Sequence, residues 1–414
     1  MSVQINPDQC IACTTCLVQC PVAEATPKFP GPRMIGPAYE RFRRMGLEED
    51  PSLQYCTNCK NCDISCPQGV PVANINMLAR LAQCEKKRPG LRDWVLAHGD
   101  KEARLLSLVP AWLKNLGMNN PLTRAVLDRL GIARQATLPA YAAQSFRRQA
   151  AALSQPELPR QVVLFPGCYM DIYDPATGLD LVWLLNRAGF RVIVPRGLVC
   201  CGLPLIANGF QAEARANAVR NMAELARWQQ QGLPLLTICP SCRLMFRAEL
   251  PLFFPELEAQ YGPLPVQDAC AFLLDCVDSG LLQAPETGEA ARSIIYHAPC
   301  HLRAQGCGLP GLSLLRRLGF KAENADAGCC GLCGSYGFKK EKYAISQQIG
   351  ERLFARVRAS GAECAASECG TCRLQITHGS GLPCPHPLSL VRQRLSGLKQ
   401  EFACQGSNRK KYHA

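Results

Sequence analysis

Eight cysteines near the start of the chain carry the clearest chemistry. Cys10, Cys13, Cys16 and Cys20 are spaced C-x2-C-x2-C-x3-C and followed by Pro21; Cys56, Cys59, Cys62 and Cys66 repeat that spacing before Pro67. Runs of this kind hold cubane 4Fe–4S clusters in bacterial ferredoxin-type proteins. Three thiolates two residues apart can each take one corner of a compact cluster, with backbone N–H groups turned towards its sulfides. The fourth cysteine lies too far round the turn and, in two-cluster proteins, ligates the other cluster. The expected sets are therefore Cys10, Cys13, Cys16 and Cys66 on one cubane, and Cys56, Cys59, Cys62 and Cys20 on the other. Zinc competes poorly, because its structural sites use two separated C-x2-C knuckles rather than three cysteines in seven residues.

A second group of cysteines recurs along the chain. Cys168 (in Phe165-Pro166-Gly167-Cys168), Cys200-Cys201-Gly202 and Cys239-Pro240-Ser241-Cys242 return about 130 residues later. The later copies are Cys300 (in Ala298-Pro299-Cys300-His301), Cys329-Cys330-Gly331 and Cys369-Gly370-Thr371-Cys372. Three matched landmarks define an internal repeat. Five thiols per copy exceed zinc's four ligands. A non-cubane iron–sulfur centre takes five more easily, so one or two further clusters are expected, with redox-active thiols or zinc as the alternatives. Cys84, Cys307, Cys333 and Cys364 read as ordinary thiols. Gly202, Gly331, Gly334 and Gly337 read as close backbone approach to a cofactor or as tight turns. His301 reads as a hydrogen-bond partner of a cluster sulfide or quinone-like acceptor, or as a satisfied polar side chain. His98, His297, His378, His386 and His413 read only as satisfied. No catalytic residue is assigned.

The elements that must position these thiols alternate between strand and helix. Copy one reads as strands at 161–165, 191–195 and 234–238 with helices at 178–188 and 212–231. Copy two reads as strands at 293–297 and 362–366 with helices at 312–318 and 344–359. Cysteines then cluster at the carboxyl ends of strands, where open α/β sheets form their sites, five converging on a crevice in each copy. The expected fold is multidomain. A helical ferredoxin-type domain (1–85) precedes a basic helical linker (86–157), two repeated α/β cysteine-rich domains (158–285 and 290–398) and a basic tail (399–414).

From Lys86 to Arg148 the linker carries twelve basic residues against four acids, an excess of eight in a chain of net charge +13. Leu105, Leu108, Val109, Trp112, Leu113 and Leu116 fall on one helical face, interrupted at Pro110, which should kink or restart the helix. Leu122, Val126 and Leu130 extend the stripe. Two readings follow: a connector packed on its own domains, or an amphipathic segment lying on an anionic membrane surface. Nucleic acid is disfavoured, since the basic residues are not interleaved with stacking aromatics. The chain has 26 cysteines in 414 residues and a start without a secretory leader. That combination suits a reducing compartment, where cysteine means metal or redox chemistry. No Gly-x-Gly-x-x-Gly follows a strand, so no flavin or nicotinamide fingerprint is visible.

Two ferredoxin runs followed by two cysteine-pair repeats resemble a family of redox subunits. It includes the iron–sulfur subunit of glycolate oxidase, lactate-utilisation iron–sulfur proteins and the heterodisulfide reductase subunits with the same cysteine-rich (CCG) repeat. Longer motifs resemble the C subunits of anaerobic glycerol-3-phosphate dehydrogenases. They are Phe29-Pro30-Gly31-Pro32 with Gly36-Pro37 and Glu40-Arg41, Thr137-Leu138-Pro139 with Phe146-Arg147-Arg148, Cys200 to Phe210, and Tyr336 to Glu341. The resemblance implies an electron carrier rather than the dehydrogenase itself. Flavin-containing A- and B-type subunits would oxidise glycerol 3-phosphate, and this chain would pass the electrons to quinone, menaquinone in anaerobic respiration. It further implies peripheral attachment at the cytoplasmic face of the inner membrane. The rival readings are an iron–sulfur subunit of a lactate or glycolate oxidase, and an enzyme that reduces disulfides with its repeat cysteines.

Overall fold

A computed structural model describes residues 5–283 and 292–397, apart from the side chain of Ser107. The expected basic tail, His413 and the domain limits at 285, 290 and 398 lie outside the described residues. The first hundred described residues form helices and turns without a strand. The short helices Pro21–Ala25, Pro32–Ile35 and Pro37–Arg44 each begin at a proline, whose fixed φ suits the first helical turn. The longer Val72–Lys86 helix packs Val72, Ala73 and Ile75 against the cysteine loops.

Each repeat is a parallel sheet. In the first, β1 (Arg160–Phe165), β2 (Phe190–Ile193), β3 (Leu235–Thr237) and β4 (Gln267–Asp268) stand in the order β2-β1-β3-β4. In the second, β5 (Ser293–Tyr296), β6 (Lys321–Asn324) and β7 (Cys364–Ala366) stand as β6-β5-β7. The chain leaves the central strand in opposite directions, so the switch point lies beside β1 and β5, where crevices open in such sheets. The second sheet lacks a partner to β4. There the carbonyls of Pro383 and Pro385 accept bonds from the Ala365 and Ser367 N–H groups. Proline returns no N–H, so the ladder is one-sided.

The expected strands and helices appear within a few residues of their limits. The linear reading passes over β4 and β6. The exposed lysine and glutamate of Lys321–Asn324 hide that strand's apolar period. The two repeats share one apolar core. The helices Pro175–Arg187, Ala269–Asp278, Pro310–Arg317 and Pro387–Ser396 bury leucines, alanines and cysteines between the sheets.

The linker is split in its behaviour. Ala97, Ile132, Ala133 and Ala136 are buried, and Ile132 bridges to Lys339. Between these anchors the turn Leu106–Leu108 and the helices Ala111–Asn119 and Pro121–Arg129 point apolar residues outwards: Leu108 is 94% exposed, Trp112 68% and Leu122 75%. The helix restarts after Pro110 as expected. A connector packed throughout on its own domains is thus not what forms.

Candidate functional site

Both ferredoxin-type loops bend in the same uncommon way. Ala12 and Thr14 in the first, and Asn58 and Lys60 in the second, have positive φ of 57°, 64°, 54° and 66°. None is glycine, so each conformation costs energy that surrounding structure must offset. Left-handed residues alternating with right-handed ones turn successive N–H groups to one side, a concavity for an anionic group. The loops also cross over. Cys16 packs with Cys10 and Cys66, and Cys20 with Cys56. Burial first, then the neighbouring Cys10, Cys13 and Cys66, pushes the Cys16 thiol up. Burial first, then Asp63, Cys59, Cys56 and Cys20, does the same at Cys62. Three cysteines of one run therefore stand with the last of the other.

These thiols differ in access. Burial pushes Cys20 up to about 11 and Cys59 up to about 12. Cys13 is exposed, and the Thr15 hydroxyl, 3.4 Å away, draws its thiol down. A metal must displace protons from the buried thiols to bind. Cysteine-only donors in such loops fit a cubane cluster well.

The repeat cysteines begin short helices at strand ends. Cys168 follows β1 and Cys300 follows β5. Cys239 and Cys369 occupy the cap positions before Pro240–Leu244 and Gly370–Ser380. A helix N-terminus favours thiolate. Instead of one crevice per repeat, all ten expected thiols line a single cavity of about 290 Å³. Cys333, read from the sequence as an ordinary thiol, joins them, its Sγ 3.8 Å from that of Cys329. Cys168 and Cys200 are 3.9 Å apart and Cys330 and Cys372 3.2 Å. Hydrogen bonds from Cys200 and Cys242 hold Cys201 down at about 6, and one from Cys372 does the same for Cys369. An all-thiol set of this size suits an iron–sulfur centre and exceeds what zinc takes.

The thiol sets are contiguous. Cys329 stands near enough to Cys59 to raise its thiol, and Cys59 acts likewise on Cys300. Cys369 of the second repeat raises Cys239 of the first in the same sense, against the stronger lowering from Cys242. His301 ties the three parts together. Its Nε2–H donates to the Asn58 carbonyl at 3.1 Å, and its Nδ1 accepts from the Ser241 hydroxyl at 2.9 Å. Both ring nitrogens are thus used within the protein. His297 is different: its buried Nε2 has no partner, and its ligating atom lies within 4.8 Å of the Cys330 and Cys372 sulfurs. Sequence reasoning passed over it. Its signal was the repeat comparison, since Phe165 holds the matching place in copy one.

Two of the flagged glycines serve packing rather than a cofactor. A Cβ on Gly331 would meet the Ser346 carbonyl oxygen at 2.0 Å, and one on Gly337 the Ser346 hydroxyl at 2.3 Å. They admit the Lys340–Ala359 helix. Gly167, not flagged, approaches a cavity thiol: a Cβ there would lie 3.2 Å from the Cys242 sulfur.

Comparison with known proteins supports these assignments at family level. Residues 6–70 match the 4Fe-4S dicluster domain, and residues 162–247 and 294–377 the Cysteine-rich domain. The chain is 35% identical over 395 residues to the C subunit of anaerobic glycerol-3-phosphate dehydrogenase from Escherichia coli K12, covering 94% of this chain and 98% of the relative. It is 26% identical over 382 residues to the B subunit of fumarate reductase (CoM/CoB) from Methanothermobacter marburgensis, covering 89% of this chain and 67% of that one. Lactate utilization protein A of Shouchella clausii is 28% identical over 225 residues, or 52% of this chain and 89% of its own.

Proposed function

Because the chain belongs to the family of anaerobic glycerol-3-phosphate dehydrogenase C subunits, we propose that it is the electron-carrying subunit of such a dehydrogenase. Flavin-containing partner subunits would supply the electrons, and a membrane quinone, menaquinone in anaerobic respiration, would receive them. The observation that carries this reading is the packing of Cys20 and Cys56 of the ferredoxin-type loops with Cys329 and Cys333 of the repeat cavity.

Cys10, Cys13, Cys16 and Cys66 would hold one cubane, and Cys56, Cys59, Cys62 and Cys20 the other. Cys168, Cys200, Cys201, Cys239 and Cys242 would hold a centre in the first repeat. Cys300, Cys329, Cys330, Cys369 and Cys372, with Cys333 beside them, would hold one in the second. Bound clusters supply one-electron redox chemistry at potentials tuned by burial and hydrogen bonding. The protein's own part is to hold those sulfurs adjacent, most of them shielded from water.

Membrane attachment would be peripheral. No helix among the described residues is long and apolar enough to cross a membrane. Leu108, Trp112, Leu116 and Leu122 instead offer an exposed apolar face, beside exposed Arg129 and Arg134. Each such side chain taken out of water contributes about 1.5–3 kcal/mol.

Anaerobic affinity purification from native membranes tests the whole reading. Recovery of flavin-containing glycerol-3-phosphate dehydrogenase subunits, with iron above about eight atoms per chain, is expected. Recovery of a lactate or glycolate oxidase flavoprotein in their place would overturn the pathway.

A further inference from the structure

The cavity that gathers the repeat thiols also has a lining of opposite character. Besides the cysteines it is walled by Leu96, Leu127, Leu138, Tyr141, Tyr169 and Tyr173, with Tyr169 packed against Gly370 between Cys369 and Cys372. Tyr169 is half-buried, and the Tyr141 and Tyr173 hydroxyls bond to each other. Two carboxylates, Asp100 and Glu102, line it as well; the Glu102 side chain is half-buried and makes no hydrogen bond to a described residue. Leu127 and Leu138 belong to the same linker that turns Leu108, Trp112 and Leu122 outwards. The linker thus supplies both part of the cavity's apolar lining and the apolar surface face.

We propose that this apolar, aromatic lining forms a binding site for the ring of a lipophilic quinone, entered from the linker face, with Glu102 as its proton donor. This rests on the reading of quinone as electron acceptor and names the place where it binds. The chemistry of the lining fits a flat, uncharged ring: three tyrosine rings offer stacking surface, and leucines leave nothing to bond but the ring's two carbonyl oxygens. The reaction balances as quinone plus two electrons and two protons giving quinol. The electrons would come one at a time from iron–sulfur centres held by the repeat thiols, supplied in turn by the flavin-containing partner. Each carbonyl oxygen gains one proton. Glu102 gives up its proton to the nearer oxygen and regains one from water beside exposed Lys101 before the second transfer. Burial, with Asp100 adding to it and His98 opposing it, pushes the Glu102 carboxyl up to about 7, so that it carries a proton near neutral pH and can release it.

The test uses the anaerobically purified complex with clusters loaded. Binding is read by fluorescence quenching of 2-heptyl-4-hydroxyquinoline N-oxide, a quinone analogue. Turnover is read as the ratio of menadione reduction to viologen-dye reduction with glycerol 3-phosphate as donor. Leu138→Trp fills the apolar part of the cavity and should weaken analogue binding at least tenfold. Glu102→Gln should keep analogue binding within about threefold of the parent and lower the menadione-to-dye ratio at least tenfold. Should Leu138→Trp fail to fold, an azido-naphthoquinone photolabel replaces it and should mark peptides containing Leu138, Tyr141 or Tyr169. Labelling confined to the exposed Leu108–Leu122 face, or menadione reduction untouched by both substitutions, overturns the site while leaving the quinone reading standing. Analogue bound at Leu138 in a complex that reduces dye but no quinone overturns the quinone reading, and the proton-donor role with it. Competition by a small disulfide that is itself reduced would assign the cavity to a disulfide and overturn the ligand class.

Discussion

Cys13 and Cys59 hold matched places in their loops and differ in chemistry. The thiolate is the reactive form. Cys13 is exposed and drawn down by Thr15, whereas Cys59 is enclosed and pushed up to about 12. In apoprotein at pH 8, iodoacetamide should modify Cys13 many times faster than Cys59, as read by mass spectrometry over time. Loading with iron and sulfide should protect both; continued fast labelling of Cys13 would remove it from the ligand set. His297 makes a second residue-scale prediction. Burial holds it neutral, down at about 4, and its Nε2 is unpartnered near Cys330 and Cys372. His297→Phe, which copies the first repeat, should alter the electron paramagnetic resonance signal of the second-repeat centre. The signals of the ferredoxin-type cubanes should stay as they are, because Cys59 and His301, not His297, lie between the two regions. His301 is used up in bonds to Asn58 and Ser241, which sequence spacing could not reveal.

Elements explain why some motifs recur. Gly331 sits at φ 84° with the Ser346 carbonyl against its Cα, so the motif after the second cysteine pair is a packing requirement of the Lys340–Ala359 helix. Gly331→Ala should destabilise the apoprotein by about 2 kcal/mol or more, through both strain and overlap; an unchanged thermal midpoint would contradict this. The linker helices carry a prediction of their own. Leu108→Glu with Leu122→Glu should weaken binding to vesicles rich in anionic lipid, and the Trp112 fluorescence shift on binding should vanish. Arg129→Gln with Arg134→Gln should weaken binding mainly at low salt. Arg124 is a poor choice for such a test, since its guanidinium bonds the Ala136 carbonyl at 2.9 Å and the Asn119 side chain at 3.2 Å.

The whole molecule is held together by charges that reach between its parts. Lys60, in the second cluster loop, pairs with Glu249 of the first repeat at 2.7 Å, both nearly enclosed. Lys339 pairs with Asp93, Lys340 with Asp128 and Glu341 with Arg92, so three successive residues of one motif clasp the linker. Across the repeats, Glu368 faces Asp268. Burial first, then Asp268, pushes Glu368 up to about 8, and the Tyr296 hydroxyl donates to it at 2.5 Å. A folded-state value above the ordinary 4.5 means its contribution is complete below pH 4.5 and is lost as pH rises through 8. Thermal midpoints measured between pH 5 and 8.5 should show a smaller loss with rising pH in Glu368→Gln than in the parent. An identical slope would show that the acid is already ionised in the fold.

Local spacing determined much of this protein by itself. The two C-x2-C-x2-C-x3-C runs, the 130-residue repeat and the strand–helix alternation are short-range patterns, and backbone geometry converts them directly into loops and sheets. The bland reading of Cys333 and His297 left their surroundings unseen because neither has a counterpart in the first repeat, where Pro204 and Phe165 stand. A local turn sets Cys333 beside Cys329, and only packing brings His297 beside Cys330 and Cys372. That the two sets of repeat thiols share one cavity, and that the second cluster loop abuts it, depended on how the repeats dock. Docking is decided by the shared leucine core and by ion pairs such as Lys60–Glu249, between residues 189 positions apart. Contacts of that span leave no period in a sequence, and so only the tertiary structure decided them.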